Sequence, residues 1–241
     1  GLAHGDLGRS FFTNKSVMNQ LVKRIPISLK LAGFSMILTI VFGVGSGVLM
    51  AVKKDRLLDH VLGTFSTAAL SVPGFWIAIV LIFLFAEQWK LLPSSGIPGG
   101  SGFILPAVTL ALPSIGVCAR LTRSAILDEI GRQYMTVADA KGMSRRHAVI
   151  CHAFGNALIP IITYLGNHMA GIIGGASIVE TIFAIPGIGS YAIAGVQSKD
   201  YYVVQAYVLF SGCIYVLTNI LIDLIYIALD PKIRAGEAVE S

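Results

Sequence analysis

The sequence predicts an all-α, polytopic membrane protein. Of its 241 residues, 55% are hydrophobic and 13% are charged, whereas a soluble domain carries about 25% charged residues. The apolar residues lie in blocks of about 20 or more, the length that a helix needs to cross about 30 Å of hydrocarbon. The formal net charge of +5 does not indicate nucleic-acid binding, because basic loops are a normal consequence of membrane topology.

The predicted elements follow one another from a polar start to five apolar spans. Residues 1–28 are polar to amphipathic, and apolar side chains recur one helical turn apart from Val17 to Ile25. This pattern predicts an extracytoplasmic segment with an interfacial helix. A transmembrane domain is predicted over residues 29–230, and residues 231–241 form a tail. The five spans are expected at about 29–52, 61–86, 103–127, 157–183 and 203–229.

Glycine and proline mark the breaks between and within these spans. The Ser-Val-Pro-Gly run at residues 71–74 interrupts the second span and predicts a kink there. Loops are predicted at residues 87–102 and 184–200. The second loop contains Pro-Gly-Ile-Gly at residues 186–189, which is either an ordinary turn or part of a gate or docking surface.

The distribution of Lys and Arg predicts the orientation. Eleven of them lie in the loop after the first span, in the region from Arg120 to Arg146 and in the tail. The two alternate loops hold only Lys90 and Lys199. By the positive-inside rule the first group is cytoplasmic, and so is the C-terminus. Five spans then leave a basic N-terminus outside, and the chain begins with Gly rather than Met, so a sixth span is expected upstream of residue 1.

The longest polar interruption of the apolar pattern is the stretch Asp128–Gly166. Tyr134, Ala138 and Lys141 recur there at helical spacing, and Gly142 follows where a glycine commonly ends a helix. A second short helix can begin immediately afterwards, capped by a serine. Two short helices hinged at a glycine and joined directly to spans are typical of a docking element. Its candidate contact residues are Tyr134, Ala138, Asp139, Ala140, Gly142, Arg145 and Arg146.

Patterns typical of catalysis or metal binding are missing from the sequence. No Gly-x-x-x-x-Gly-Lys-[Ser/Thr] run occurs, so this chain has no P-loop for the phosphates of ATP. The three cysteines show no Cys-x-x-Cys spacing, and the five histidines are dispersed. We therefore expect a chain that is not an enzyme, with no catalytic, cofactor-binding or metal-binding residues.

Five polar residues within the predicted spans are candidates for function: Asn167, His168, Glu180, Asn219 and Asp223. Such residues are rare in bilayers and usually face a bundle interior or a pathway. Asn219 and Asp223 lie one turn apart, and hydrogen bonds between helices are the favoured explanation for them. For Asn167, His168 and Glu180, two explanations stay open: hydrogen bonds that hold the bundle together, and a place in a pathway or gate.

Several runs of residues together carry a family resemblance. Residues 134–142, YMTVADAKG, followed by Asn-Ala-Leu-Ile-Pro at 156–160, resemble the cytoplasmic "EAA" loop of ABC importer permeases, with Ala-Asp-Ala at 138–140 where many members carry Glu-Ala-Ala. Further matches are His-Gly-Asp-Leu-Gly at 4–8, Glu-Thr-Ile-Phe at 180–183, Pro-Gly-Ile-Gly at 186–189, Asp-Tyr at 200–201 and Asp-Pro-Lys-Ile-Arg at 230–234. Together they resemble the first, B-type, permease subunit of the dipeptide, oligopeptide and nickel importers.

This resemblance implies the transmembrane domain of a type I ABC importer in the inner membrane, with six spans. Such a permease forms half of the pathway for small peptides or nickel, the metal either free or in a complex. It pairs with a second, homologous permease and with two ATPase subunits, which hold ATP and Mg²⁺. An extracytoplasmic solute-binding protein delivers the substrate, and residues 134–155 would be coupling helices on the ATPase. No partner of the nucleic-acid class is implied.

Two other classes of function and the choice of substrate stay open at this point. A self-sufficient secondary transporter or channel would need its own coupling-ion site, and a membrane scaffold would transport nothing. Neither an internal repeat nor a central carboxylate favours the secondary transporter. The short loop at residues 87–102 is similar to that of nickel and small-substrate members, whereas no cluster of His or Cys marks a metal path.

Overall fold

The computed structural model describes residues 7–96, 98–132, 135 and 153–229, and every regular element among them is helical. In chain order the α-helices are α1 (Val17–Leu38), α2 (Gly45–Val52), α3 (Leu57–Ser71), α4 (Gly74–Leu81), α5 (Ile104–Ile130), α6 (Phe154–Gly175), α7 (Ser177–Ile182), α8 (Ile188–Gln197) and α9 (Tyr201–Leu229). Two π-helical segments, Thr39–Val44 and Ile82–Gln88, and a 3-10 helix at Pro98–Phe103 complete the set. The all-α prediction agrees with these elements.

The first long helix begins earlier than the predicted first span. It runs for 36 residues, Val17–Val52, through α1, a π-helical segment and α2. The helix is therefore continuous near residue 28, where the sequence predicts a change from an interfacial helix to a span. Pro26 lies inside α1. A proline removes one backbone hydrogen bond, which neighbouring groups in a membrane helix can replace.

The second predicted span is broken between α3, which ends at Ser71, and α4, which begins at Gly74. Pro73 stands at the N-cap of α4 with an extended backbone (φ −61°, ψ 138°). Proline disfavours helical geometry in the residue before it, so α3 ends just before this point. The break predicted at residues 71–74 is confirmed.

Among the described residues, length and composition identify three helices that can cross a membrane: Val17–Val52, Gly100–Ile130 and Tyr201–Ile225. The pair of α3 and α4 raises the number to four if it counts as one span. The predicted span at residues 157–183 corresponds to α6 and the short α7. Five spans with a sixth upstream therefore remain a prediction.

The predicted loop at residues 184–200 mostly consists of helix α8, so the sequence-based assignment was wrong there. Ile188 and Ala192 are buried on one side of this helix. Gly189 and Gly195 lack the side chains that would collide with Ser177 and Val203. Close approach of small residues is a normal way for helices to pack in membranes.

The chain divides into two compact units. Unit 1 comprises Gly1–Ile37, Val72–Ala111 and Met169–Val216, and unit 2 comprises Leu38–Ser71, Leu112–His168 and Leu217–Ser241. Unit 2 has a core of small and aliphatic side chains. The buried members of this core are Ala51, Ile126, Met135, Ala153, Ala157 and Ile161.

Glycines allow the helices of unit 2 to approach each other closely. A Cβ on Gly47 would lie 2.6 Å from the carbonyl oxygen of Ala119, and one on Gly116 would lie 2.5 Å from that of Ser66. These contacts involve backbone atoms, which cannot move aside as a flexible side chain can. Small residues at such contacts are a normal feature of helix packing in membranes.

Candidate functional site

The carboxylate of Glu180 is the centre of a buried network in unit 1. Its side chain is 0% exposed. The Ser28 hydroxyl of α1 donates to Glu180 Oε1 at 2.5 Å, and the Ser190 amide of α8 donates to Oε2 at 2.9 Å. Ser28 Oγ in turn accepts from the amide of Ile188 at 2.9 Å. One carboxylate on α7 therefore joins α1 to the beginning of α8.

The carboxylate of Glu180 lies at the N-terminus of α8, where backbone amides lack acceptors within the helix. The first amides of α8 have no acceptor within their own helix. A negative charge at that end also interacts favourably with the helix dipole. Glu180 and Ser28 supply acceptors to the amides of Ser190 and Ile188. The network thus supplies hydrogen bonds that α8 cannot make alone.

Gly187 provides the space that the carboxylate occupies. It is the N-cap residue of α8, with an extended backbone (φ −90°, ψ −175°) that any residue can adopt. A Cβ built on Gly187 would overlap both carboxylate oxygens of Glu180. The requirement for glycine here is therefore steric rather than conformational.

We expect Gly187→Ala to destabilise the protein by about 1–3 kcal/mol, the usual cost of forcing an extra carbon into a packed site. The Glu180 side chain would have to leave its partners to accommodate the methyl group. Thermal unfolding of the purified protein in detergent measures this effect. Gly212→Ala is the matched control, because nothing lies within 4 Å of its added Cβ. Equal melting temperatures for both variants would contradict the steric role of Gly187.

A second buried carboxylate, Asp200, lies at the start of α9 in the same unit. Asp200 is 2% exposed, and the Ser10 hydroxyl donates to its Oδ2 at 2.6 Å. Its Oδ1 has no hydrogen-bond partner among the described residues.

The guanidinium of Arg24 stacks over the ring of Tyr191 at 4.4 Å. Burial raises the pKa of the Tyr191 phenol above its ordinary value.

His168 belongs to a different cluster, in unit 2. Its ring is parallel to that of Tyr164, with centroids 5.7 Å apart, and its Nδ1 lies 3.4 Å from Ser114 Oγ. The Tyr164 hydroxyl donates to the Ser114 carbonyl at 3.2 Å. His168 Nε2 is buried without a partner in the described part of the chain, whereas Asn167 is exposed. Of the three predicted pathway residues, Glu180 therefore lies in unit 1, and Asn167 and His168 lie in unit 2.

No sequence pattern predicted the ion pair between Asp59 and Arg123 in unit 2. Arg123 of α5 donates from Nε to Asp59 Oδ1 at 2.7 Å and from its NH2 nitrogen to Oδ2 at 2.8 Å. Asp59 Oδ2 also accepts the Asp55 amide at 2.9 Å. Asp59 is 4% exposed. The two partners are separated by 64 positions in the chain, a distance over which helical periodicity gives no information.

The predicted ATPase-coupling residues lie outside the described residues: Tyr134, Ala138, Asp139, Ala140, Gly142, Arg145 and Arg146. The neighbouring Met135 is described, is 3% exposed and belongs to the core of unit 2. Nothing in the structure therefore tests the contacts of the coupling segment itself. Among the described residues, no group of three or more His, Cys, Asp and Glu could hold a metal ion.

The fold is that of an ABC importer transmembrane domain. One similar solved structure is the inward-facing MetNI methionine ABC transporter in its CY5 native crystal form, with a TM-score of 0.73 and 18% identity over 88% of this chain and 97% of that one. Another is an amino acid ABC transporter crystallised with histidines, with a TM-score of 0.69 and 18% identity over 86% of this chain and 92% of that one. These likenesses show the fold alone.

Residues 43–235 match the family described as "Binding-protein-dependent transport system inner membrane component", and the chain belongs to this family. The dipeptide transport system permease protein DppB of Escherichia coli (strain K12) is 34% identical over 97% of this chain and 78% of its own length. The "Probable peptide ABC transporter permease protein y4tP" of Sinorhizobium fredii (strain NBRC 101917 / NGR234) is 38% identical over 95% of this chain and 76% of its own length. The chain is thus a multi-pass permease subunit of an ABC importer, and the secondary-transporter and scaffold alternatives are set aside.

Proposed function

We propose that this subunit forms half of the translocation pathway for small peptides in an ATP-driven importer. The observation that carries the proposal is the 38% identity to y4tP, over 95% of the chain. The identity of 34% to DppB, whose name specifies dipeptides, supports the same substrate class. The other half of the pathway would come from a second, homologous permease. An extracytoplasmic binding protein would deliver the peptide.

Two ATPase subunits on the cytoplasmic side would supply the energy, because this chain has no P-loop. Residues 134–155 would be the coupling helices that dock on them, and the C-terminus would lie on the same side of the membrane. Met135, at the start of this segment, packs with Ile126 of α5 and Ala157 of α6. Since packed cores switch between discrete arrangements rather than deform smoothly, this attachment suits the transfer of ATPase closure to the spans.

We expect Gly142→Val to reduce ATP-driven uptake by about tenfold or more while ATP hydrolysis continues, within the range of coupling free energies of about 1–3 kcal/mol. A β-branched residue cannot replace glycine at a hinge between two helices without strain. The ratio of peptide taken up to ATP hydrolysed, measured in proteoliposomes, gives the result. Gly212→Val serves as control because Gly212 lies outside residues 134–155 and nothing lies within 4 Å of a Cβ there. An unchanged ratio for Gly142→Val would count against the coupling role.

The Glu180 network and α8 are our candidates for the extracytoplasmic gate. They connect α1, α7 and α8 through buried hydrogen bonds, and a buried polar network favours one arrangement of its members over others. Asn167 and His168 are candidates for the pathway, since intramembrane polar residues commonly mark one.

Nickel, free or in a complex, is the second substrate candidate, and the short loop at residues 87–102 favours it. Binding measurements on the cognate solute-binding protein separate the two substrates. Micromolar or tighter binding of dipeptides, with no binding of nickel complexes, supports the proposal. The reverse order of affinities would contradict it.

A further inference from the structure

A cavity of about 710 Å³ lies between α3 and α5, within unit 2. Sites for small ligands commonly have volumes of about 300–1,000 Å³, so this one is large enough for a small solute. The cavity is widely open and its lining surface is mostly apolar, but two arginines of α5 and several polar side chains of α3 also line it. Neither the family match nor the coupling role assigns anything to this cavity.

A polar stripe on α3 forms one wall of the cavity. It consists of His60, Thr64, Thr67 and Ser71, which are all exposed. These positions recur at intervals of four, three and four residues, so they share one face of the helix over about 16 Å. The Thr67 and Ser71 hydroxyls donate to backbone carbonyls one turn earlier. Each hydroxyl oxygen therefore keeps lone pairs available, and a ligand can also compete for its proton.

The opposite wall carries two arginines of α5, Arg120 and Arg123. Arg123 and Asp59 already form a closed pair with two hydrogen bonds, which adds no net charge to the cavity. Arg120 precedes Arg123 by about one helical turn. It lines the same cavity, is exposed and takes part in no ion pair among the described residues. A positive group beside a row of hydroxyls is a suitable environment for an oxyanion.

The small number of arginines and the planar shape of the guanidinium favour a carboxylate on a small solute over a lipid phosphate. Sites for anionic lipids on the cytoplasmic side usually gather four to eight Lys and Arg residues, whereas the described residues that line this cavity include only two, Arg120 and the paired Arg123. The planar guanidinium matches both oxygens of a carboxylate at once. The polar stripe continues along α3, where its side chains can contact the amides of a peptide.

We propose that this cavity binds the terminal carboxylate of a small peptide, with Arg120 as its cation and Thr64 and Thr67 as hydroxyl contacts. The inference rests on the proposed function, because it assigns to this chain a contact with the peptide substrate. It places part of the substrate recognition in the permease and not only in the solute-binding protein.

The test uses the complete transporter in nanodiscs of neutral lipid, without the solute-binding protein. Labelled dialanine and dialanine amide are the two probes, and they differ in the terminal carboxylate. We expect the wild type to bind dialanine about tenfold more tightly than the amide, the effect of one charge-assisted pair. Arg120→Gln should abolish this difference, and Arg120→Lys should keep part of it. Arg56→Gln, in the exposed loop outside the cavity, should change neither affinity.

Equal affinities of the wild type for both probes, absent binding of dialanine, or an unchanged preference in Arg120→Gln would overturn the inference. So would Arg120-dependent binding of phosphatidylglycerol added to the nanodiscs when dialanine does not displace it. Thr67→Val provides a second variant of nearly equal shape, for which we expect weaker dialanine binding. ATP-driven dialanine uptake by the wild type is measured separately. If uptake is normal and Arg120 has no effect, only the cavity inference fails, whereas absent uptake of any peptide counts against the proposed function.

Discussion

Glu180→Ala is expected to destabilise the transporter by about 3 kcal/mol and to abolish uptake. The substitution removes the acceptor of the Ser28 hydroxyl and of the Ser190 amide, both within a buried network. Each buried donor left without a partner costs about 1–3 kcal/mol. The N-terminus of α8 also loses the negative charge that stabilises it. Thermal unfolding in detergent and uptake in proteoliposomes measure the two effects.

Two further variants show whether the losses expected for Glu180→Ala come from the charge, from the hydrogen bonds or from any substitution at this place on α7. Glu180→Gln keeps one acceptor but presents an NH₂ group to the other donor, so we expect a smaller loss than with alanine. Thr181→Ala is the neighbouring control, since the Thr181 side chain is exposed and donates only to the Ser177 carbonyl. If Glu180→Ala unfolded at the wild-type temperature, the network would not stabilise this part of unit 1.

Arg123→Met is expected to destabilise the protein by about 3 kcal/mol, because it leaves the Asp59 carboxylate buried without its cation. Asp59 is 4% exposed and uses both oxygens to accept from Arg123. Removing one partner of a buried pair costs more than removing both. The double variant Asp59→Asn with Arg123→Met should therefore be more stable than Arg123→Met alone. Thermal unfolding of the wild type, Asp59→Asn, Arg123→Met and the double variant completes the double-mutant cycle.

Arg132→Met is the matched control for this ion pair. Arg132 lies just beyond the end of α5 and pairs with Glu129 at 2.9 Å, but its side chain is 65% exposed. An exposed pair contributes at most about 1 kcal/mol, since water screens the charges. We expect no measurable change in the melting temperature. Equal losses from Arg123→Met and Arg132→Met would show that burial does not determine the effect.

Hydropathy and proline positions predicted the main elements of the fold. Apolar blocks are visible in the sequence because each span must be long enough to cross the bilayer. The break at Pro73 was predictable since proline acts on the residues next to it. The helix α8 was not, because the Pro-Gly-Ile-Gly run, whose last two residues begin this helix, is typical of a turn and does not indicate that a helix follows.

The candidate site was predictable in part. Glu180 was identified from its position among apolar residues, since a carboxylate in a span is rare. Its partner Ser28 lies 152 positions away, and a lone serine in an apolar helix has no distinctive pattern. Arg120 and Arg123 were assigned only to membrane topology. Which of the two is paired depends on the packing of α3 against α5, which periodicity alone does not determine.

The most direct test of the account is uptake of a labelled dipeptide by proteoliposomes that contain this chain, its partner permease and the ATPase subunits. We predict uptake only when ATP and the solute-binding protein are both present, with loss of uptake when the ATPase cannot hydrolyse ATP. Uptake driven by an ion gradient through this chain alone, without ATPase subunits, would contradict the account.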